Sequence, residues 1–361
     1  MTEAPLAMAS PVFTVDGDLC RDLARDCVRL EVSEGVEGLR TLEVHLVAVD
    51  SGATGPQDRL RHLDGTTVDL GRTLVVALGP DDAQRRVFDG VVSAIELVLA
   101  DGGPPTVVVL AEDALMRLRM TRRLRTYSQV TDADIAQAIA ADHGLQSDVS
   151  ADGPRYDVVQ QLNQSDLAFL RERGRLVQAE LWCSGQTLNF RTRPARRATE
   201  VTLVRGAELL SVRLLADLAH QRSEVIVTGY DADQKQVIHE RAGPDAIEAE
   251  VSGGRTGSRL VARALGNSTT MRVREVALTS EEANAWASAE MLRRGRRFVT
   301  VCGTTNGTPD LVVGSRLTLN LVGAPFDGGG YYVTRVRHTF DLRRGFRTRF
   351  EAERATLNEV A

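Results

Sequence analysis

Alternation of apolar and polar side chains dominates the first third of the chain. Val28-Arg29-Leu30-Glu31-Val32-Ser33 has the period of a strand with one wet face, and Leu42, Val44, Leu46 and Ala48 repeat it. Thr73 to Leu78 is a more continuously apolar strand. Val91 to Leu99 and Thr106 to Leu110 flank Asp101-Gly102-Gly103-Pro104-Pro105, which reads as a hairpin with its glycines and prolines at the turn. Short strands separated by turn signals predict a barrel or sandwich. Residues 11–113 are therefore expected to form a first β-barrel-like domain, after a flexible arm over 1–10.

The period changes in the middle. Thr131-Asp132-Ala133-Asp134 offers an N-cap with early acids, Ile135, Ala138 and Ile139 follow at helical spacing, and His143-Gly144 supplies a stop. A second helix is expected from Ser165-Asp166, with Leu167, Leu170, Gly174 and Val177 on one face and Phe169 and Leu176 beside it. Glu180 to Phe190 returns to strand alternation around Gly185. Residues 114–200 thus read as an α/β insert.

From about 201 the chain is β again. Arg222 to Asp231 is a strand ending in a turn, and Gly243 to Gly266 reads as a glycine-rich excursion. Thr279-Ser280-Glu281-Glu282 is a capping-box pattern for one helix over about 280–294, with Ala285, Trp286, Ala289 and Leu292 as its apolar face and Gly295 after its end. Phe298–Gly303, Ser315–Val322, Tyr331–Leu342 and Gly345–Glu353 complete a second β-barrel-like domain over 201–355, followed by a tail over 356–361. The fold class expected is mainly β (α+β): two similar β domains with an α/β insert between them.

Composition narrows the function. The 361 residues are 43% hydrophobic and 26% charged, as in ordinary globular proteins, and disorder or fibre formation is not expected. No apolar run reaches the roughly 20 residues of a membrane span, and the first residues lack the basic-then-apolar order of a signal peptide. Synthesis in the cytoplasm without membrane anchoring is expected. A net charge of −5 argues against specific nucleic-acid binding. Lys235 is the only lysine beside 43 arginines. Codon bias in a GC-rich genome explains that, as does a preference for guanidinium forks at persistent protein interfaces.

No catalytic signature is present. Gly254-Arg255-Thr256-Gly257-Ser258 lacks the spacing and lysine of a phosphate loop, and its glycines read as positions of positive φ. Among His45, His62, His143, His220, His239 and His338, no two lie three or four residues apart. His45 and His338 alternate within strands, as structural cross-strand partners do. Cys20, Cys27, Cys183 and Cys302 form no C-x-x-C pair, so neither zinc nor a disulfide framework is indicated. Cys183 and Cys302 are expected to be small buried thiols. No catalytic, cofactor or metal site is expected. Sixteen aromatic residues are few for the platforms of a carbohydrate cleft. The densest basic run is Arg293-Arg294-Gly295-Arg296-Arg297. It reads as a solvated helix end favoured by the macrodipole, as a contact for an acidic protein partner or, last, as a nucleic-acid contact.

Five stretches, in order, carry a family resemblance. Phe88-Asp89-Gly90-Val91-Val92 resembles an F-x-G-x-V strand, and Gln160 to Leu170 resembles Q-x-N-x-S-D-x-x-F-L through Asn163, Ser165, Asp166, Phe169 and Leu170. Val225-x-Val227-x-Gly229-Tyr230-Asp231 resembles the strand that opens a second barrel core. Gly330 to His338, with Tyr332 and His338, is similar to G-x-Y-x-V-x-x-V-x-H, and Gly345 to Phe350 to the closing strand. Tyr127 to Leu145 further resembles the passage from a strand into the insert's first helix. Together they resemble the late control D and VgrG-type baseplate hubs of contractile phage tails and contractile injection systems. The resemblance implies that these glycines and aromatics serve the fold. It also implies a non-enzymatic homotrimer that joins a hexameric inner tail tube to a trimeric spike and meets baseplate wedge or adaptor proteins. Since no spike repeat follows the second barrel, it implies a spike supplied as a separate polypeptide. A neutral or acidic ring lining would let cargo or DNA pass without sticking. The alternatives are a tail-associated cell-wall hydrolase on the same scaffold and a carbohydrate-binding β module.

Overall fold

The computed structural model describes residues 10–49, 60–79, 84–196 and 198–359. Nearly all of the expected arm therefore lies outside the described residues. The first segment comprises β1 (Val12–Val15), β2 (Asp18–Leu19), α1 (Arg21–Asp26), β3 (Cys27–Gly35), β4 (Thr41–Val47), β5 (Thr73–Leu78), β6 (Arg85–Val98) and β7 (Thr106–Glu112). Burial alternates along β3 and β4 as the side-chain pattern predicts, and Phe13, Leu30, Leu46 and Phe88 fill the core beneath.

The insert holds α2 (Met116–Arg119), β8 (Arg122–Val130), α3 (Asp132–Asp142), β9 (Gln146–Ser150), β10 (Tyr156–Ser165), α4 (Asp166–Val177), β11 (Ala179–Ser184) and β12 (Thr187–Thr192). Helix α3 begins on a full capping box: Asp134 N–H donates to Thr131 Oγ1 at 3.2 Å, and Thr131 N–H donates to the Asp134 carboxylate at 2.9 Å. Ser165 caps α4 through Ala168 N–H at 3.2 Å.

The last segment contains β13 (Glu200–Val204), β14 (Leu209–Ala216), β15 (Glu224–Asp231), β16 (Gln236–Ala242), α5 (Asp245–Glu248), β17 (Arg255–Thr256), α6 (Gly257–Leu265), β18 (Thr269–Ala277), α7 (Ser280–Arg296), β19 (Val299–Asn306), β20 (Arg316–Asn320), β21 (Gly328–Asp341), β22 (Gly345–Arg354) and β23 (Thr356–Leu357). The glycine-rich excursion carries helix α6. Thr256 accepts from Arg259 N–H and starts it, while Gly253 and Gly254, at φ +144° and +87°, form the turn before it. At α7, Thr279 accepts from Glu282 N–H at 3.1 Å, and the Glu282 carboxylate takes Leu278 N–H at 2.8 Å.

The two β segments do not form separate barrels. Strand β21 pairs with β3 in antiparallel register, His338 opposite Val32 and Phe340 opposite Leu30. This joins the segments into one thirteen-stranded sheet whose main path runs β14-β19-β22-β21-β3-β4-β7-β6-β5-β1-β2. Because β3 gives one edge to β4 and the other to β21, the path stays open, and no closed barrel forms among the described residues. Phe340 and Phe346, from the far end of the chain, complete the first segment's core.

Helix α7 follows a second unexpected course. Trp286, Ala287 and Met291 share one apolar cluster with Ile135, Leu170 and Phe190 of the insert and Val225 and Val227 of β15. Trp286 Nε1 donates to the Tyr156 hydroxyl at 3.4 Å, and that hydroxyl donates to Asp132 at 3.1 Å. A third core, with Val299, Val301, Tyr331, Val333 and Phe350, lies under the C-terminal strands.

Candidate functional site

The motif residues do not converge on one cleft; some meet demands of the backbone and others hold the core or long-range contacts. Phe88 is buried, and a Cβ on Gly90 would collide with the Glu112 carbonyl of β7. Asn163 sits at φ +51° where the β8–β10 register slips between Leu162 and Gln164, a bulge conformation that asparagine tolerates. Ser165 caps α4. Buried Asp166 accepts from Gln161 Nε2 at 2.8 Å and Arg123 Nε at 2.9 Å, with His143 Nε2 at 2.7 Å. Phe169 stacks on Tyr127 with centroids 5.9 Å apart, and Leu170 is buried.

In the last segment, Gly229 passes against the Ala277 carbonyl where any Cβ would clash. Tyr230 is half exposed, and Asp231 accepts from Asp233 N–H and Gln234 N–H in the turn that follows. His338 faces its cross-strand partner Thr348, with Nδ1 3.0 Å from Oγ1. Burial, aided by the Arg40 charge, pushes the imidazole down to about 3. Gly345, at φ +65°, makes the turn between β21 and β22.

Tyr332 leads to the most concentrated chemistry in the molecule. Its hydroxyl donates to Glu180 of β11, and the guanidinium groups of Arg193 and Arg316 lie 4.2 and 4.5 Å from its ring centroid. Arg196 donates to Glu180 at 3.0 Å and to Glu34 of β3 at 3.3 Å, and Arg40 donates to Glu34 at 2.8 Å. Arg193 bonds Glu180 at 3.1 Å and Glu353 of β22 at 2.6 Å. Burial would lower the Arg193 pKa, but Glu353 and Glu180 outweigh it and hold the side chain charged. Three arginines and three glutamates thus alternate in a network that ties the first segment, the insert and the last segment together. Sequence reasoning singled out only Tyr332 among them. The one local signal was Glu34, an acid in the inward register of Leu30 and Val32.

The network floors a groove of about 1050 Å³ between the β3–β4 turn, α4, the end of α7 and strands β19, β21 and β22. Three of the four arginines at the end of α7 reach it: Arg293, Arg296 and Arg297 just past the helix. The helix end is less solvated than its sequence suggests. Arg293 and Arg294 both bond Glu290, and Arg296 is buried against Glu250 at 2.6 Å and Gln178 at 3.1 Å. Arg297 is exposed and has no side-chain partner among the described residues. Cys302, expected to be buried, faces the groove, because Val301 and Gly303 take the inward positions of β19. Cys27 and Cys183 are buried, and desolvation raises both thiols to about 12, far from thiolate reactivity at neutral pH. Among the described residues, no cluster of His, Cys, Asp and Glu has a metal-holding arrangement, and no helix is long and apolar enough to cross a membrane.

This fold is shared with solved tail proteins. The tail protein of prophage MuSo2 from Shewanella oneidensis superposes with a TM-score of 0.67 at 14% identity, over 96% of this chain and 98% of that one. A tail protein from Neisseria meningitidis gives 0.63 at 12% identity, over 95% and 96%. An Escherichia coli component of the type VI secretion system, itself described as structurally similar to bacteriophage T4 tail proteins, gives 0.57 at 14% identity, over 93% and 76%. No curated protein matches in sequence. The family model of the Alg8 N-terminal domain matches residues 25–341. With that match spanning most of its length, the chain belongs to the Alg8 N-terminal domain family, and it has the fold of phage tail proteins.

Proposed function

We propose that this chain is a non-enzymatic structural hub of a contractile phage tail or contractile injection particle, of the late control D and VgrG type. It would assemble as a homotrimer, seat the hexameric inner tube on one side, hold a separate trimeric spike on the other, and contact baseplate wedge or adaptor proteins. The observation that supports this most is the fold shared over nearly the whole length of both chains with a prophage tail protein. A physical argument accords with this: if the two β segments of each chain present similar surfaces, three copies would offer six such elements to a six-fold tube under closed cyclic symmetry. Neither membrane anchoring nor specific nucleic-acid binding is part of this role.

Co-expression with candidate tail-tube and spike proteins, followed by negative-stain imaging, tests the reading. Three-fold rings bearing both partners are expected. A strictly monomeric chain that captures neither partner would overturn it.

A further inference from the structure

The groove concentrates cations in a chain whose net charge is −5. Seven arginines and five glutamates line it, and three of those glutamates (Glu34, Glu180 and Glu353) are bound into the floor network. Arg193 neutralises part of that floor, Arg175 pairs with Glu37 at 2.6 Å, and Arg293 and Arg296 pair with Glu290 and Glu250, so the positive charge left facing solvent is that of Arg171, Arg297 and the loosely held Arg335. Arg171 directs its guanidinium onto two carbonyl oxygens, Glu37 O at 2.8 Å and Gly38 O at 3.2 Å, and hydrogen-bonds no carboxylate. Burial lowers its pKa, only partly offset by the nearby Glu37 carboxylate, with Arg175 adding to the lowering. Arg335 is exposed with Glu351 only at 3.9 Å, and Arg297 has no partner among the described residues.

We propose that this groove docks an acidic, extended peptide segment of a partner protein, with carboxylates received by Arg171, Arg297 and Arg335. Guanidinium forks bind carboxylates in paired hydrogen bonds, and an arriving anion would further offset the charge of Arg171, whose own hydrogen bonds go to carbonyls. The volume of about 1050 Å³ lies just above the roughly 300–1,000 Å³ range of small-ligand sites, which suits a stretch of chain better than a metabolite. Glu37 and Glu351 stand between the arginines. They would repel an unbroken run of phosphates, whereas the carboxylates of a peptide can be spaced to avoid them. This docking stands apart from tail assembly, because it is a property of the isolated chain.

Fluorescence anisotropy of the purified full-length chain with a fluorescein-labelled peptide of alternating glutamate and serine tests the proposal at low salt. A lysine–serine peptide and a single-stranded oligonucleotide serve as comparisons. Saturable binding of the acidic peptide is expected, about tenfold weaker in the Arg297→Glu, Arg335→Glu double variant. Binding should be unchanged in Arg263→Glu, which alters an exposed α6 residue outside the groove. Both substituted sites are exposed, and matching thermal melts would show that the variants fold. No saturable binding, equal loss in Arg263→Glu, undiminished binding by the double variant, or tighter binding of the oligonucleotide would each overturn it.

Discussion

Glu180 provides the sharpest test of the network that joins the three segments. Its side chain is 7% exposed and accepts from Arg193 at 3.1 Å, Arg196 at 3.0 Å and the Tyr332 hydroxyl. Glu180→Ala would leave Arg196, itself 6% exposed, with Glu34 at 3.3 Å as its only carboxylate. It would also strand the Tyr332 hydroxyl. Removing one partner of a buried ion pair costs about 3–5 kcal/mol, and an orphaned buried hydroxyl about 1–3 kcal/mol. These do not add, since one carboxylate serves all three donors. Arg193 keeps Glu353 at 2.6 Å, which places the expected loss near the lower end, about 3–4 kcal/mol. Glu180→Gln retains volume and an acceptor oxygen, so roughly half that loss is expected. Glu351→Ala serves as the contrast: its partner Arg335 is 3.9 Å away and both are more than half exposed, a pair worth about 0–1 kcal/mol. The urea midpoint at constant slope reads each effect. The double variant with Arg196→Ala should show a coupling of about 0.5–3 kcal/mol. A Glu180→Ala loss below about 1 kcal/mol, or no coupling to Arg196, would refute the argument.

Three further outcomes follow from local geometry. Burial raises the Asp113 carboxyl to about 6 despite bonds from Arg40 N–H and Leu115 N–H, so between about pH 4 and about pH 6 the native state keeps a proton that the unfolded chain has already released. Stability from this group is therefore lost as pH rises from about 4 to about 6, and the difference in urea midpoint between wild type and Asp113→Asn should shift across that window alone; a pH-independent difference would contradict it. Iodoacetamide followed by peptide mass spectrometry should label exposed Cys302 in the native protein, with Cys27 and Cys183 reacting only on unfolding. Gly229→Ala should destabilise by about 2 kcal/mol or more, because the new Cβ would meet the backbone oxygen of Ala277 and not a yielding side chain; an unchanged melting temperature would show that β18 can move aside.

Local periodicity alone determined much of this protein. The alternation in β3 and β4 and the caps of α3 and α4 are set by neighbours within a few residues, so they can be read along the chain. The face α7 buries, through Ala283, Ala287 and Met291 beside Trp286 and Ala289, differs from the one its spacing predicts. The motifs around Asn163 and Gly345 answer a bulge and a turn set nearby, whereas those around Phe88, Gly229 and Tyr332 meet partners distant in sequence, so the motifs could be recognised along the chain but their contacts could not be read from it. Tertiary structure decided whatever depends on residues distant in sequence. The pairing of β21 with β3 turns two expected barrels into one open sheet, and it rests on hydrogen bonds between residues about 300 positions apart. Trp286 joins the insert's core because Tyr156 and Asp132 meet it there. Arg296 is buried because Glu250 and Gln178 close over it. Glu34, Glu180 and Arg196 become one charged network only when strands from three segments converge, since a buried charge is tolerable only beside a partner that sequence spacing does not reveal.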